Sequence, residues 1–252
     1  MKIKEYIPNT LTCCNLLCGC YACILALNGN HAGAMCAVFV AAGFDFVDGL
    51  TARMLHVCSP TGKDLDSLAD MVSFGVAPGM MLFDFLDRTQ QTVAWSCPLC
   101  GKAFLTAAFA IPLFSALRLA RFNNDARQRE SFIGLPVPAH AIFWMSLLHV
   151  LTVPAGVPVI GWLHGDWSSL LYPASPTVVL TTMALLAIGS SVLLVANVPM
   201  FSLKTKTWRW RDNRLRYAFL TGALGLIICF DIGGLTASVV LYVFLSIFNR
   251  RN

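Results

Sequence analysis

Four aspartates between Asp45 and Asp70 have the residue type and the spacing to do chemistry. Asp45 and Asp48 are three residues apart, and Asp66 and Asp70 are four apart. At about 100° per residue, each pair lies within roughly 60° on one face of a helix. Two such helices facing each other would bring four carboxylates together, and clustered carboxylates repel each other unless a cation neutralises them. The pattern therefore predicts a site for a hard divalent cation, which prefers oxygen ligands.

The segments on both sides of the aspartates are apolar. Residues 32–44 before Asp45 and 71–83 after Asp70 contain no charged side chain. The acidic pairs are therefore expected at the ends of two membrane-spanning helices, where charge is costly and marks a functional site. A solvated loop that carries unrelated acidic residues is the alternative.

Eight residues of this stretch fit the motif D-x2-D-G-x2-A-R-x8-G-x3-D-x3-D. They are Asp45, Asp48, Gly49, Ala52, Arg53, Gly62, Asp66 and Asp70. The stretch resembles the CDP-alcohol phosphotransferases, whose motif has these fixed positions and these gaps. The resemblance implies the all-α fold of that family and its reaction, in which an alcohol attacks a CDP-linked lipid and CMP leaves.

The resemblance also implies metal ligands and a catalytic group. Two divalent cations, Mg²⁺ or Mn²⁺, are expected. Asp45, Asp48 and Asp66 would hold one cation, and Asp45, Asp66 and Asp70 the other. Asp70 would in addition accept the proton of the attacking hydroxyl group.

Five further residues are expected to bind the CDP-alcohol. Gly49 and Arg53 match motif positions that contact this ligand in the family. Ser59, in the spacer, and Asn9 and Thr10, at the start of the first span, are assigned by their position alone.

A second resemblance concerns the acceptor alcohol. R-L-A-R-F-N at 118–123, F-I-G-L-P-V-P-A at 132–139 and the N-terminal P-N-T-L-T-C-C-N-L-L-C-G at 8–19 are similar to one branch of the family, the membrane-embedded bacterial phosphatidylserine synthases. This resemblance implies CDP-diacylglycerol as donor and L-serine as acceptor. Arg118 and Arg121 are the candidates for binding the serine carboxylate, and ordinary anchoring of a helix end is the alternative role for both.

Composition indicates how these residues are positioned. Of 252 residues, 57% are hydrophobic and 12% are charged, whereas soluble domains carry about 25% charged residues. We expect one integral membrane domain over residues 1–252, a polytopic transmembrane helical bundle with about eight spans and six as the second choice. The expected spans are 8–27, 31–47, 65–86, 103–117, 132–153, 177–197, 217–230 and 232–248, the last two forming an additional C-terminal hairpin. The first helix is expected to begin near Pro8, and residues 87–102 are expected to form a polar loop.

The basic residues predict the orientation. With the N-terminus inside, all but two of the 18 lysines and arginines fall on inner segments, and the exceptions are Arg88 and Lys102. The aspartates would then face the cytoplasm, in a bacterial inner membrane. The net charge of +5 suits a membrane surface and does not require nucleic acid. The basic segment 204–216 fits binding to anionic lipid or a plain inner loop.

Other functions remain open at this point. The same chemistry could use glycerol 3-phosphate, inositol phosphate or choline as acceptor. A transporter could also bury acidic groups, although it would more often place them in mid-membrane near broken helices. A membrane scaffold would not need four acidic residues in register. A homodimer is possible because the family is commonly dimeric.

Overall fold

The computed structural model describes residues 3–57, 59–95, 98–124, 132–152, 174–201 and 210–249. Almost all of them are helical. The helices are α1 (Ile3–Leu27), α2 (His31–Met54), α3 (Pro60–Asp70), α4 (Ala77–Gln91), α5 (Pro98–Leu105), α6 (Ala110–Asn124), α7 (Val137–Thr152), α8 (Pro176–Val195), α9 (Trp210–Phe230) and α10 (Ile232–Asn249). Two short strands, β1 (Phe132–Ile133) and β2 (Pro199–Met200), pair antiparallel. The all-α prediction is confirmed, and this strand pair is an addition that it did not contain.

The aspartates lie on two helices that continue beyond the expected spans. Helix α2 extends to Met54, and α3 already begins at Pro60, after the side chain of Ser59 has capped it by accepting from the Gly62 N–H at 3.0 Å. Serine is a favoured N-cap, and proline suits the first helical position. The loop between the two acidic pairs is therefore much shorter than the sequence suggested.

A π-helical segment, Met71–Val76, joins α3 to α4 and begins directly after Asp70. The Ala77 N–H donates to the carbonyl of Val72, five residues earlier. Proline at 78 has no N–H of its own, so it cannot take part in the regular ladder here. Single π-helical turns are frequent at functional sites, and this one changes the angular offset between Asp70 and the residues that follow it.

Helix α6 packs antiparallel along the continuous helical segment formed by α3, the π-helical turns and α4. A Cβ atom placed on Gly79 would lie 2.9 Å from Pro112, and one on Gly75 would lie 3.1 Å from the Cβ of Ser115. Further along, the Asn123 amide donates to the Ser67 hydroxyl group at 2.8 Å. These contacts fix a register in which Arg118 lies level with Asp70.

Among the described residues, five helical segments are long and apolar enough to cross a membrane: Tyr6–Leu27, His31–Met54, Pro60–Gln91, Gly101–Asn124 and Pro176–Val195. Two shorter apolar helices, Val137–Thr152 and Ile232–Phe248, accompany them. Large apolar side chains are exposed on one side of α1 at Leu17, Tyr21 and Ile24, a helical stripe that suits contact with lipid. The chain is thus an all-α polytopic membrane protein, while the count of eight spans stays a prediction.

The C-terminal hairpin docks through an aromatic cluster. Helices α9 and α10 are joined at Asp231, and the rings of Phe201, Phe219 and Tyr242 lie within 5.7 Å of one another between centroids. The Tyr242 hydroxyl group donates to the Phe201 carbonyl at 3.0 Å. The hairpin is therefore held to the segment that follows α8.

Two expectations about helix ends are wrong. Helix α1 begins at Ile3, so Pro8 lies inside it; a proline so close to an N-terminus removes only one backbone hydrogen bond. The expected polar loop 87–102 is helical at both ends, since α4 continues to Gln91 and α5 starts at Pro98. Residues 204–209 of the basic segment and the end of the fifth span at 153 lie outside the described residues.

Candidate active site

Three of the four aspartates form a compact cluster between α2 and α3. Asp45, Asp48 and Asp66 each offer one carboxylate oxygen, and these three atoms all lie within 4.8 Å of one another. Asp45 and Asp48 lie one turn apart on α2, as their spacing predicted, and Asp66 of the second pair joins them from the facing helix. The set matches the ligands expected for the first cation.

Asp70 lies one turn beyond Asp66, beside the cluster. Its charge interacts with those of Asp45 and Asp66, yet it is not part of the three-residue group. The Asn15 amide on α1 donates to one carboxylate oxygen of Asp70 at 3.2 Å. The other expected cation, shared by Asp45, Asp66 and Asp70, therefore remains a prediction.

The chemistry of the cluster fits a hard divalent cation. Two unit charges 4 Å apart near a protein surface repel each other by about 4 kcal/mol. Within the described residues, no lysine or arginine forms an ion pair with the four aspartates, and the Oδ1 atom of Asp66 is buried without a hydrogen-bond partner. Oxygen ligands that lack a counter-charge are what Mg²⁺ or Mn²⁺ would satisfy.

Helix α1 contributes two polar residues that the sequence did not single out. The Thr12 hydroxyl group donates to Asp48 Oδ2 at 2.6 Å, and Asn15, one turn later, reaches Asp70. Both side chains are buried. Their spacing of three residues, in a helix that is mostly apolar after Thr10, was the available signal, because two buried polar residues on one face of such a helix need a polar partner.

A cavity of about 210 Å³ opens next to Asp48 and Asp66. Its lining includes three of the residues expected to bind the CDP-alcohol, namely Asn9, Gly49 and Ser59. It also includes Thr12 and Lys63, which the sequence interpretation had not assigned to this ligand.

The motif glycine Gly62 has a packing role in this cavity. A Cβ atom at this position would lie 2.9 Å from the Ser59 hydroxyl oxygen and 3.1 Å from the Asn9 amide oxygen. Any side chain would therefore push apart α1 and the start of α3, since the N-cap bond of Ser59 uses the same space.

Two expected donor-binding residues lie outside the cavity lining. Arg53 is exposed, and its Nη1 atom would be 3.9 Å from a Cβ atom on Gly49, so the guanidinium lies beside one of the lining residues. Thr10 is exposed, and its hydroxyl group donates to the Tyr6 carbonyl of its own helix at 2.8 Å. Arg53 is thus close enough to reach an anion in the cavity, whereas Thr10 points elsewhere.

The two arginines of α6 differ sharply. Arg118 is 6% exposed, its Nε atom is buried without a partner, and its guanidinium lies 5.5 Å from the centre of the Phe122 ring. Its charge interacts with Asp70 and with Tyr242 of α10. Arg121 is exposed and donates from Nη1 to the Val195 carbonyl at 3.1 Å. Only Arg118 therefore faces the aspartates.

The end of α6 is tied to the start of α3. Lys63 Nζ donates to the Asn123 carbonyl at 2.9 Å, and the Asn123 side chain donates to Ser67. The helix that carries Asp66 and the helix that carries Arg118 are thus linked at the same end of the bundle.

Known proteins resemble this chain in the region of the site. The family described as CDP-alcohol phosphatidyltransferase matches residues 5–185, which run from α1 to the middle of α8 and do not include α9 and α10. Three relatives bear the name CDP-diacylglycerol–serine O-phosphatidyltransferase. The protein of Mycobacterium leprae (strain TN) is 31% identical over 208 residues, which are 80% of this chain and 60% of the relative. That of Bacillus subtilis (strain 168) is 35% identical over 134 residues, 53% of this chain and 70% of the relative. That of Methanocaldococcus jannaschii is 27% identical over 205 residues, which are 81% of this chain and 88% of the relative.

Proposed function

This chain belongs to the CDP-alcohol phosphatidyltransferase family, and we propose that it transfers the phosphatidyl group of CDP-diacylglycerol to L-serine. The products are phosphatidylserine and CMP. The donor is supported by the family, and the acceptor by the names of the relatives. Because the chain spans only 60% of the length of the Mycobacterium leprae relative, the activity rests on the residues of its own site as well.

One observation carries the proposal. A cluster of three carboxylates lies between a cavity at the membrane-helix ends and Asp70, and level with that aspartate lies a buried arginine whose Nε atom has no hydrogen-bond partner in the described part of the chain. Two substrates, a donor with a diphosphate on one side and an amino acid on the other, would satisfy both halves of this arrangement.

The donor is proposed to lie in the cavity. Asn9, Gly49 and Ser59 line it, and Arg53 beside Gly49 can pair with phosphate oxygens. The diphosphate would extend from the cavity to Asp45, Asp48, Asp66 and Asp70, the four proposed metal ligands. Mg²⁺ or Mn²⁺ ions bound there, two in the family pattern, would neutralise the diphosphate and stabilise the departing phosphate.

Asp70 is proposed as the general base. It accepts the proton of the acceptor hydroxyl group, whose oxygen attacks the phosphorus that bears diacylglycerol. A bond forms between that oxygen and phosphorus, the bond from phosphorus to the bridging oxygen of CMP breaks, and CMP keeps the electron pair. The Asn15 amide, which donates to Asp70 at 3.2 Å, orients this carboxylate for the transfer.

Arg118 is proposed to bind the serine carboxylate, in preference to Arg121. A buried guanidinium with an unsatisfied N–H is costly, at about 1–3 kcal/mol or more, and a carboxylate would satisfy it with charge-assisted hydrogen bonds. Arg121 already bonds to a backbone carbonyl and is exposed.

The positions of the basic residues support a location and an orientation in the membrane. We propose a bacterial inner membrane, with the aspartates on the cytoplasmic side, because the basic residues Lys63, Arg118 and Arg121 lie at the same end of the bundle as the aspartates. The single domain over 1–252 and the homodimer stay predictions.

The experiment is a product analysis with purified protein in detergent. CDP-diacylglycerol is supplied with Mg²⁺ or Mn²⁺ and, separately, with labelled L-serine, glycerol 3-phosphate, inositol phosphate or choline. Phosphatidylserine and an equal amount of CMP are expected from L-serine alone. Phosphatidylglycerol phosphate in its place would disprove the serine acceptor and leave the aspartate chemistry intact.

A further inference from the structure

Four buried polar atoms without a partner belong to Asn15, Asp66, Ser115 and Arg118, on the helices that pack around Asp70. Within the described part of the chain there are eight such atoms in all: Asn15 Oδ1, His31 Nδ1, Asp66 Oδ1, Ser115 Oγ, Arg118 Nε, His140 Nδ1, His149 Nδ1 and Ser191 Oγ. Native proteins leave few such atoms, and each one requires an explanation. Asp66 is explained by the metal site, and Arg118 by the acceptor carboxylate. The unpartnered oxygens of Asn15 and Ser115 are explained neither by the metal site nor by the acceptor carboxylate.

Asn15 carries a buried, unpartnered amide oxygen next to Asp70. The side chain is fully buried, and its nitrogen donates to an Asp70 oxygen at 3.2 Å. Because a carboxylate accepts only, the nitrogen must be the atom that faces Asp70 and the amide oxygen must point away from it. That oxygen is left without a donor.

Ser115 presents another such oxygen from the opposite helix. It is fully buried on α6, three residues before Arg118 and therefore on the same face. Its backbone approaches Gly75 so closely that a Cβ atom there would lie 3.1 Å from the Ser115 Cβ. In the antiparallel register of α6 against α3 and α4, Ser115 thus lies one turn deeper than the level shared by Arg118 and Asp70.

An acceptor that carries an ammonium group would satisfy both oxygens. An ammonium group has hydrogen-bond donors only, so a cationic arginine cannot bind it, whereas amide and hydroxyl oxygens can. A phosphorylated acceptor would instead call for further cations. The combination of one buried arginine with two uncharged oxygens suits a zwitterion.

We propose that Asn15 Oδ1 and Ser115 Oγ bind the ammonium group of an α-amino acid whose carboxylate lies on Arg118. This inference rests on the proposed function and deepens it, because it assigns the selection of an amino acid to two residues outside the aspartate motif. Asn15 has two contacts, to the base and to the acceptor, and so directs the acceptor hydroxyl group towards Asp70.

The test compares two acceptors that differ only in the ammonium group. L-serine and 3-hydroxypropanoate are each given to wild type, Asn15→Ala and Ser115→Ala, and the ratio of their kcat/KM values is measured. A change in the orientation of Asp70 alters kcat/KM for both acceptors in the same way and therefore cancels in this ratio. A hydrogen bond to a charged group predicts that the preference for L-serine falls about tenfold in each variant.

Ser191→Ala is the matched control. Ser191 is also fully buried with an unpartnered hydroxyl group, but it lies on α8, and its substitution should leave the ratio at the wild-type value. Thermal unfolding of each purified variant checks that it is folded. If Asn15→Ala does not fold, Ser115→Ala decides alone, because it removes a single unpartnered oxygen.

The outcomes separate the two proposals. Formation of phosphatidylserine with an unchanged ratio in Asn15→Ala and Ser115→Ala would overturn the ammonium site and leave the proposed function standing. Absence of phosphatidylserine with wild type would overturn the proposed function, and the ammonium site with it.

Discussion

Thr12 on the first helix donates a hydrogen bond of 2.6 Å to the carboxylate of Asp48, 36 positions later. Both side chains are buried, and the same hydroxyl oxygen lies 3.0 Å from the Pro8 carbonyl of its own helix. The bond fixes the position of the Asp48 carboxylate, which lies in the cluster with Asp45 and Asp66. A residue outside the aspartate motif thereby sets the geometry of the proposed metal site.

Replacing Thr12 with Val should therefore weaken metal binding. The side chain keeps its shape but loses the hydroxyl group, and groups that orient a metal ligand are typically worth about 10- to 100-fold in affinity or activity. We expect the Mg²⁺ or Mn²⁺ concentration that gives half-maximal activity to rise about tenfold. Thr181→Val, which removes an exposed hydroxyl group bonded to its own helix, should not change it. Equal metal requirements in both variants would contradict the role of Thr12.

Asp66→Asn should abolish turnover, because this residue is assigned to both cations. Metal ions contribute several kcal/mol to such reactions, so a fall in kcat of about a thousandfold or more is expected. Asp48→Asn, which affects one cation, should leave a trace of activity. The control is Asp64→Asn, an exposed carboxylate on the same helix. Isothermal titration with Mn²⁺ gives a readout independent of turnover, and unaltered Mn²⁺ binding in Asp66→Asn would refute the assignment.

The sequence determined the positions of the aspartates better than their surroundings. Spacings of three and four residues place Asp45, Asp48, Asp66 and Asp70 on helix faces in any regular helix, so their convergence was predictable. The hydrogen bond from Thr12 to Asp48 was not predictable, because a contact between α1 and α2 depends on how the two helices are rotated and aligned.

The distinction between the two arginines was equally beyond the sequence. Arg118 and Arg121 are three residues apart and lie on nearly the same helix face, yet one is buried and the other exposed. Arg118 is buried at the level of Asp70, whereas the guanidinium of Arg121, one turn later, lies beside the end of α8 and bonds to the Val195 carbonyl. The π-helical segment after Asp70 could not be predicted from the sequence either, since it depends on a shift of backbone hydrogen bonds by one residue.

Asn123→Ala should disturb the relation between the donor and acceptor halves of the site. Its side chain links α6 to Ser67 on the helix that carries Asp66, so its loss should lower kcat severalfold while both substrates still bind. The adjacent Asn124 bonds, within the described residues, to the Ala120 carbonyl of its own helix, and Asn124→Ala is therefore the control. Identical kcat values for the two variants would show that the link does not matter for catalysis.

The orientation can be tested with single cysteines at Lys63 and Lys102 in a background without the native cysteines. Lys63 lies at the aspartate end and Lys102 on the segment assigned to the outside. We expect a membrane-impermeant maleimide to label position 102 in intact cells and position 63 only after the membrane is opened. Labelling of position 63 from outside would place the aspartates on the external face.

Arg118→Ala should raise the KM for L-serine by one to two orders of magnitude, since a charge-assisted hydrogen bond is worth roughly 1.5–3 kcal/mol and each ~1.4 kcal/mol is tenfold. The KM for CDP-diacylglycerol should change far less. Arg121→Ala is the matched comparison, because this exposed side chain bonds to the Val195 carbonyl, and its effect on the serine KM should be much smaller. Ethanolamine is serine without its carboxylate, and the ratio of its kcat/KM to that of L-serine should rise in Arg118→Ala. Added guanidinium should restore part of the activity of this variant with L-serine. If Arg118→Ala raised both KM values equally, Arg118 would belong to the diphosphate site, and the carboxylate would need a different partner.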